Sequence, residues 1–314
     1  MNRREFIAGT LLSGLCGCRT SDGAGGTDGS LSVLISDPHV GGTGSERTFQ
    51  KPRLERVIGE ILAMSPRPKR VICFGDIAYL TGRDSDYAMS KPIFRRLVDA
   101  GIDVHLTMGN HDRRSNFLRH WPEYAERPLV PGRLTQVISL GGADLVLLDT
   151  LKGTDDRAED DAGPGEGTID PAQLEWFKGF VAQAARPFLV GSHHFGDLSA
   201  EGVRPISIPG ASPHFAGWIF GHEHEWRSQM AEVSWGRQLS VPTQALPSTG
   251  HYGDIGYVTM RTTDRGAELT LHQSDYFFVT PRSNPPAGWM ARVRDNDGQR
   301  RHFLFGSTSL QESR

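Results

Sequence analysis

Cysteine is nearly absent from this chain: three residues in 314, at Cys16, Cys18 and Cys73, exclude a disulfide-stapled scaffold and a metal site built on thiolates. The modest apolar stretch that ends at Leu15 is too short to cross a bilayer as an anchor helix. A surplus of positive charge is missing too. With 34 Lys plus Arg against 37 Asp plus Glu the net charge is −3, which leaves no nucleic-acid footprint. No internal repeat is visible, so a solenoid is excluded. What remains is a loop-rich globule: 37% hydrophobic residues suffice for a sizeable core, while 37 Gly and 19 Pro place many turns between its elements.

Short apolar runs at 31–36, 71–74, 104–108, 145–149, 188–191 and 218–220 read as buried strands. Between them Leu54, Val57, Ile58, Ile61 and Leu62 recur at helical spacing, as do Ile93, Phe94, Leu97 and Val98 before a Gly101 stop. Asp170-Pro171 opens another helix, an N-cap followed by Pro in the first turn, with Leu174, Phe177 and Val181 inward. The alternation predicts an α/β fold. Beyond residue 224, alternating stretches at 257–260 and 269–272 predict antiparallel strands joined by an Asp264-Arg265-Gly266 turn. The tail from 281 predicts a loop that ends in a hairpin.

Five apolar runs end in clusters of metal-binding side chains: Asp37-Pro38-His39, Gly75-Asp76, Gly109-Asn110-His111-Asp112, Ser192-His193-His194 and Gly221-His222-Glu223-His224. The carboxyl ends of neighbouring strands face one crevice in open α/β sheets, so these distant positions can converge. They supply carboxylate, amide and imidazole donors, a set for Mn, Fe, Zn or Ni. Seven donors exceed what one tetrahedral ion needs. Two ions sharing one carboxylate would use them all, which predicts a binuclear centre.

The order of these blocks resembles the calcineurin-like metallophosphoesterase family, whose motifs are Asp-x-His, Gly-Asp, Gly-Asn-His-Asp/Glu, His and Gly-His-x-His. The resemblance implies a four-layer α/β/β/α sandwich of two mixed sheets flanked by helices. It implies that Asp37, His39 and His224 hold a first metal, Asn110, His193 and His222 a second, and that Asp76 bridges them. The ions would be divalent or of mixed valence, Fe, Mn, Zn or similar. The substrate would be a small phosphoester, cleaved by a metal-bridging hydroxide. His111 would steady the phosphoryl group and protonate the leaving oxygen, with Asp112 orienting it. Gly109-Asn110-His111-Asp112-Arg113 most resembles the branch of cyclic-nucleotide and glycerophosphodiester phosphodiesterases, so phosphodiesters are the expected substrates.

Several residues carry alternatives. Family members often have His-His-Pro where this chain has His193-His194-Phe195; His193 is the expected ligand. Gly75-Asp76-Ile77-Ala78-Tyr79 matches the Gly-Asp-x-x-Tyr block of purple acid phosphatases, which lack the first-block histidine. Because His39 is present, Tyr79 is expected to pack or line the rim; the alternative is an acid-phosphatase-like monoesterase. A non-catalytic metal- or phosphate-binding protein would have lost a ligand or His111, and none is lost. Arg113 and Arg114 stand equally as phosphate contacts or as surface charges. The acidic stretch 155–166 lacks calcium-loop spacing and reads as a solvated loop. Cys73, inside an apolar run, reads as an inert buried thiol.

Asn2-Arg3-Arg4-Glu5-Phe6-Ile7 resembles a twin-arginine export signal, and Leu15-Cys16-Gly17-Cys18 resembles a lipobox. The expected organisation is a signal over 1–17, lipidation at Cys18, a tether over 18–30, a metallophosphoesterase domain over 31–280 and a C-terminal extension over 281–314. The protein is then exported to the periplasm or outer surface and touches the membrane through its lipid alone.

Overall fold

The computed structural model describes residues 30–42, 50–126, 128–153, 165–229, 238–243, 254–273, 297–306 and 310–313. In chain order the elements are β1 (Ser30–Ile35), α1 (Gln50–Ala63), β2 (Arg70–Cys73), α2 (Asp84–Asp99), β3 (Asp103–Leu106), α3 (Arg114–His120), β4 (Gln136–Ser139) and β5 (Asp144–Leu147). There follow β6 (Thr168–Ile169), α4 (Pro171–Gln183), β7 (Phe188–Ser192), β8 (Ser199–Ala200), β9 (Phe215–Phe220), β10 (Arg227–Gln229) and β11 (Gln238–Ser240). The last are β12 (Tyr257–Thr262), β13 (Gly266–His272), β14 (Arg300–Leu304) and β15 (Leu310–Ser313).

One sheet runs β15-β14-β13-β12-β1-β2-β3 and the other β10-β11-β9-β7-β5-β4. Both are mixed. β1, β2 and β3 are parallel, with β12 antiparallel on β1. In the second sheet β5, β7, β9 and β11 are parallel and both edges antiparallel.

Alternate side chains of a strand point to opposite faces, and here they sort into three cores. Val33, Ile35, Val71 and Cys73 pack with Leu54, Val57, Ile61, Phe94 and Leu97 from α1 and α2. Their neighbours Leu34, Ile72 and Phe74 join Leu145, Leu147, Leu189 and Ile219 between the sheets. Val146, Leu148, Val190 and Trp218 turn away to meet Leu174, Phe177 and Val181 of α4. The result is a four-layer α/β/β/α sandwich, and β1, β2, β3, β5, β7 and β9 overlap the six predicted apolar runs.

Asp170 caps α4, accepting from the Gln173 amide at 2.8 Å. α2 is longer than its apolar spacing suggests: it starts at Asp84 and runs through Pro92, because Tyr87 and Ser90 on the far side of the proline are buried. The tail ends in the expected hairpin, which extends the first sheet as β14 and β15. The expected export signal and lipobox lie outside the described residues, as do the tether as far as 29 and most of the 155–166 loop, while Ser30, expected to end the tether, opens β1.

Candidate metal centre

All five clusters follow strands. Asp37 and His39 follow β1, Asp76 follows β2, Asn110 and His111 follow β3, His193 follows β7, and His222 and His224 follow β9. The site therefore draws on both sheets. Past their strands the first two loops stay side by side, with Asp37 N–H on Gly75 O at 3.1 Å and His39 N–H on Asp76 O at 2.9 Å.

The backbone at these positions is strained. Among the described residues the non-glycine positions with positive φ are Asp37 (52°), His39 (43°), Asp76 (50°), His222 (69°) and His224 (56°). Left-handed backbone is costly for L-residues and persists where surrounding structure imposes it, a pattern that clusters at functional sites. Every one of the five is a ligand expected from sequence.

The side chains form two touching groups. In the first, His224 Nε2 lies 3.2 Å from Asp37 Oδ1 and 3.3 Å from His39 Nε2. In the second, His193 Nε2 lies 3.2 Å from Asn110 Oδ1 and 3.3 Å from His222 Nδ1. Asp76 Oδ2 stands between them, 3.6 Å from His39 Nε2 and 3.3 Å from His193 Nε2. The donor atoms of Asp37, His39 and His224, and likewise those of Asp37, Asp76 and His193, fall within 4.8 Å of one another.

The charges call for a cation. Asp37 and Asp76 are buried, and the positively charged groups acting most strongly on them are imidazoles. Burial alone would raise both carboxyls, but the histidines outweigh it and hold them below the usual range. Burial would likewise lower His193, yet Asp76 and Asp37 push it up to about 10; burial dominates at His39, which falls to about 4. Two buried carboxylates thus draw a proton onto His193, and a divalent ion would supply the same positive charge at higher density. Oxygen and imidazole donors with no thiolate fit Mn, Fe, Zn or Ni.

His111 donates from Nδ1 to the Leu80 carbonyl at 2.7 Å, which leaves Nε2 toward the site, 3.9 Å from Asp76 Oδ2. Asp112 does not orient this ring, contrary to the expectation from sequence. Its buried carboxylate accepts the amides of Ile77, Ala78 and Gly109 at 3.2, 3.0 and 2.9 Å and the Tyr87 hydroxyl at 3.0 Å, fastening the Asp76 loop to the Asn110 loop. Burial, then Asp76, raises Asp112 to about 6.

The two arginines are structural as well. Arg113 is buried with Nε on the Thr81 carbonyl, and Arg114 grips Asp149 in a fork at 2.7 and 2.8 Å. Tyr79 lends its carbonyl to His39 Nδ1 at 2.9 Å, and the ring's Nε2 faces His224 and Asp76. His194 pairs with Thr150 Oγ1 at 2.9 Å, while His193 faces Asn110 and Asp76; the donor atoms of His193, His194 and His222 lie within 4.8 Å of one another. Cys73 is buried and its thiol is pushed up by that burial, as an inert thiol should be.

Imidazoles and carboxylates converging at the strand ends of two stacked sheets define a metal-dependent hydrolase. The calcineurin-like phosphoesterase model matches residues 32–226, and the chain belongs to that family. It is thus a metal-dependent hydrolase of phosphoric esters. No curated protein sequence matches it. Among solved structures it is similar to PhoD, with a TM-score of 0.59 and 12% identity over 91% of this chain and 72% of that one. It is also similar to the purple acid phosphatase PPD1 from yellow lupin (Lupinus luteus) seeds, with a TM-score of 0.49 and 12% identity over 79% of this chain and 52% of that one. Vacuolar Protein Sorting 29 from Cryptosporidium parvum aligns with a TM-score of 0.40 and 14% identity over 91% and 97% of the two chains.

Proposed function

We propose that this hydrolase works with two divalent or mixed-valence ions and cleaves phosphodiesters. The position of Asp76 Oδ2 supports the pair: it stands within 3.6 Å of a histidine in each donor group, where a bridging carboxylate belongs. Asp37, His39 and His224 would hold one ion, and Asn110, His193 and His222 the other. Such an ion pair, when bound, polarises phosphoryl oxygens, lowers the pKa of an attacking water and offsets the charge that grows during in-line displacement.

His111 carries the proton. Its Nδ1 must be a donor, because its partner is a carbonyl, so the exchangeable position is Nε2 on the substrate side. In the imidazolium form that nitrogen donates to the phosphoryl group or to the leaving oxygen. Asp112 contributes by holding both loops in register. The Gly109–Arg113 block favours phosphodiesters.

The test is turnover of bis-p-nitrophenyl phosphate, p-nitrophenyl phosphate and cyclic nucleotides by the purified protein with added Mn. Faster cleavage of the diesters is expected, and the reverse ranking would assign monoesters.

The same reading includes export. Arg3-Arg4 and the Leu15–Cys18 lipobox support a folded, metal-loaded enzyme sent through the twin-arginine route and anchored by a lipid on Cys18.

A further inference from the structure

The loop after His193-His194 turns back over the second donor group, and it carries a carboxylate. We propose that Asp197 is a positioning residue for the second ion: it holds His222 by the ring nitrogen that faces away from that ion. The proposal rests on the two-ion reading above. His222 presents Nδ1 to His193 Nε2 at 3.3 Å, and its other nitrogen, Nε2, lies 3.5 Å from Asp197 Oδ2, at the outer limit of direct hydrogen bonding.

The loop is fastened so that this pair meets. Phe195 stacks on Phe220 with centroids 4.7 Å apart and planes at 22°, and meets Trp218 edge-on at 5.5 Å. The Leu198 amide then bonds back to the Phe195 carbonyl at 3.3 Å, closing a turn with Asp197 inside it. Phe220 is two residues before His222, so the stack that anchors one partner also sets the height of the other. Asp197 is part-exposed, but its Oδ1 is buried without a hydrogen-bond partner in the protein, so the carboxylate is turned inward at the His222 side.

The chemistry follows from tautomerism. When Nε2–H is donated to a carboxylate, the Nδ1 lone pair is free for metal and the imidazole is a stronger base, an arrangement common behind metal-bound histidines. His193 receives the same service from a main-chain carbonyl, its Nδ1 lying 2.7 Å from Phe74 O.

The full-length protein, stripped with chelator and titrated with Mn²⁺, separates the possibilities by two-site binding isotherms that need no turnover. Asp197→Ala should weaken one site by about ten- to a hundredfold and leave the other unchanged. Asp197→Asn, whose amide oxygen still accepts from Nε2–H, should recover most of that affinity. The stripped variants should melt with the stripped wild type. Unchanged affinity in Asp197→Ala, equal weakening of both sites, or a lower melting temperature in the stripped variants would each overturn the proposal. Wild-type stoichiometry answers for the two-ion reading separately. If wild type takes up a single ion, that reading fails, and Asp197 is then judged by whether Asp197→Ala and His222→Ala weaken that one site together.

Discussion

A Cβ atom at Gly109 would stand 2.1 Å from Asp76 Oδ1, so the loop that carries Asn110 and the carboxylate between the donor groups share a space that only glycine leaves free. The His111 amide donates to the same Oδ1 at 2.9 Å and seats the carboxylate there. Gly109→Ala should therefore displace Asp76, at a cost of about 1–3 kcal/mol in overpacking. Metal content should fall with turnover, as it should in Asp76→Ala, which removes the donor outright. Elemental analysis decides: normal metal in either variant contradicts the arrangement.

Asp112→Ala should be destabilising before it is inactivating. It strips three buried amides and the Tyr87 hydroxyl of their acceptor, and unsatisfied buried donors cost about 1–3 kcal/mol each. Denaturant unfolding should show a loss of at least about 3 kcal/mol on that basis. Tyr87→Phe removes one of the four bonds and also deprives the buried Arg113 amide, which donates to the Tyr87 hydroxyl at 2.7 Å, of its acceptor, so it should cost about 2–4 kcal/mol and leave the pH profile of turnover unmoved. A shifted profile in Tyr87→Phe would point to a role for Asp112 through His111.

Arg114→Gln leaves Asp149 buried without its cation, which should cost about 3–5 kcal/mol at neutral pH. The pH dependence has a definite sign. Burial tends to raise Asp149, but Arg114 outweighs it and holds the folded carboxyl below 3.8, so the pair stabilises fully above that value and fades as pH falls through the folded one. Without Arg114, Arg133 and the Leu134 and Leu151 amides are left to oppose burial, so the folded variant's carboxyl moves up and takes up its proton earlier. The stability gap between the two proteins should narrow from neutrality toward the usual carboxylate range. A gap that widened with acid would show that Asp149 was not the partner.

His39 and Tyr79 separate two branches of chemistry. Tyr79→Phe should keep metal content and turnover within a few-fold, while His39→Ala should weaken the first ion by about ten- to a hundredfold or more. A purple protein that bleaches in Tyr79→Phe would make the phenolate a ligand and the enzyme acid-phosphatase-like.

Replacing Arg3 and Arg4 by Lys should strand folded enzyme in the cytoplasm, because the export machinery reads the arginine pair. Fractionation measures this, and mass spectrometry of the mature N-terminus should find an acylated Cys18. Unchanged export, or an unmodified start further along, removes the respective claim.

The donor set was readable because each ligand sits beside the apolar run that positions it, so strand and side chain are neighbours in sequence. Its supports were not. Two of the three amides that hold Asp112 come from residues 34 and 35 positions away, and the Arg114–Asp149 fork also spans 35 positions. Local pattern carries no trace of such pairs, which explains why Asp112 reads as a partner of the adjacent His111 and Arg114 as a candidate phosphate contact. Pro92 hid the first half of α2, and with it Tyr87. The three-core layering was legible wherever strand residues alternate, as in Val33-Leu34-Ile35.

Because Asp37, His39, Asp76 and Asn110 hang from one sheet and His193, His222 and His224 from the other, any cation bound among them is a clasp between the two halves of the sandwich. The free cysteine among the described residues, Cys73, offers no covalent substitute. At a hundredfold excess over its dissociation constant such a cation adds about 2.7 kcal/mol to the folded state. Chelation should therefore do mechanical damage as well as chemical: the strand ends around β1 and β7 should exchange their amide hydrogens sooner, while the far end of the sandwich, sewn by its apolar cores, stays shut.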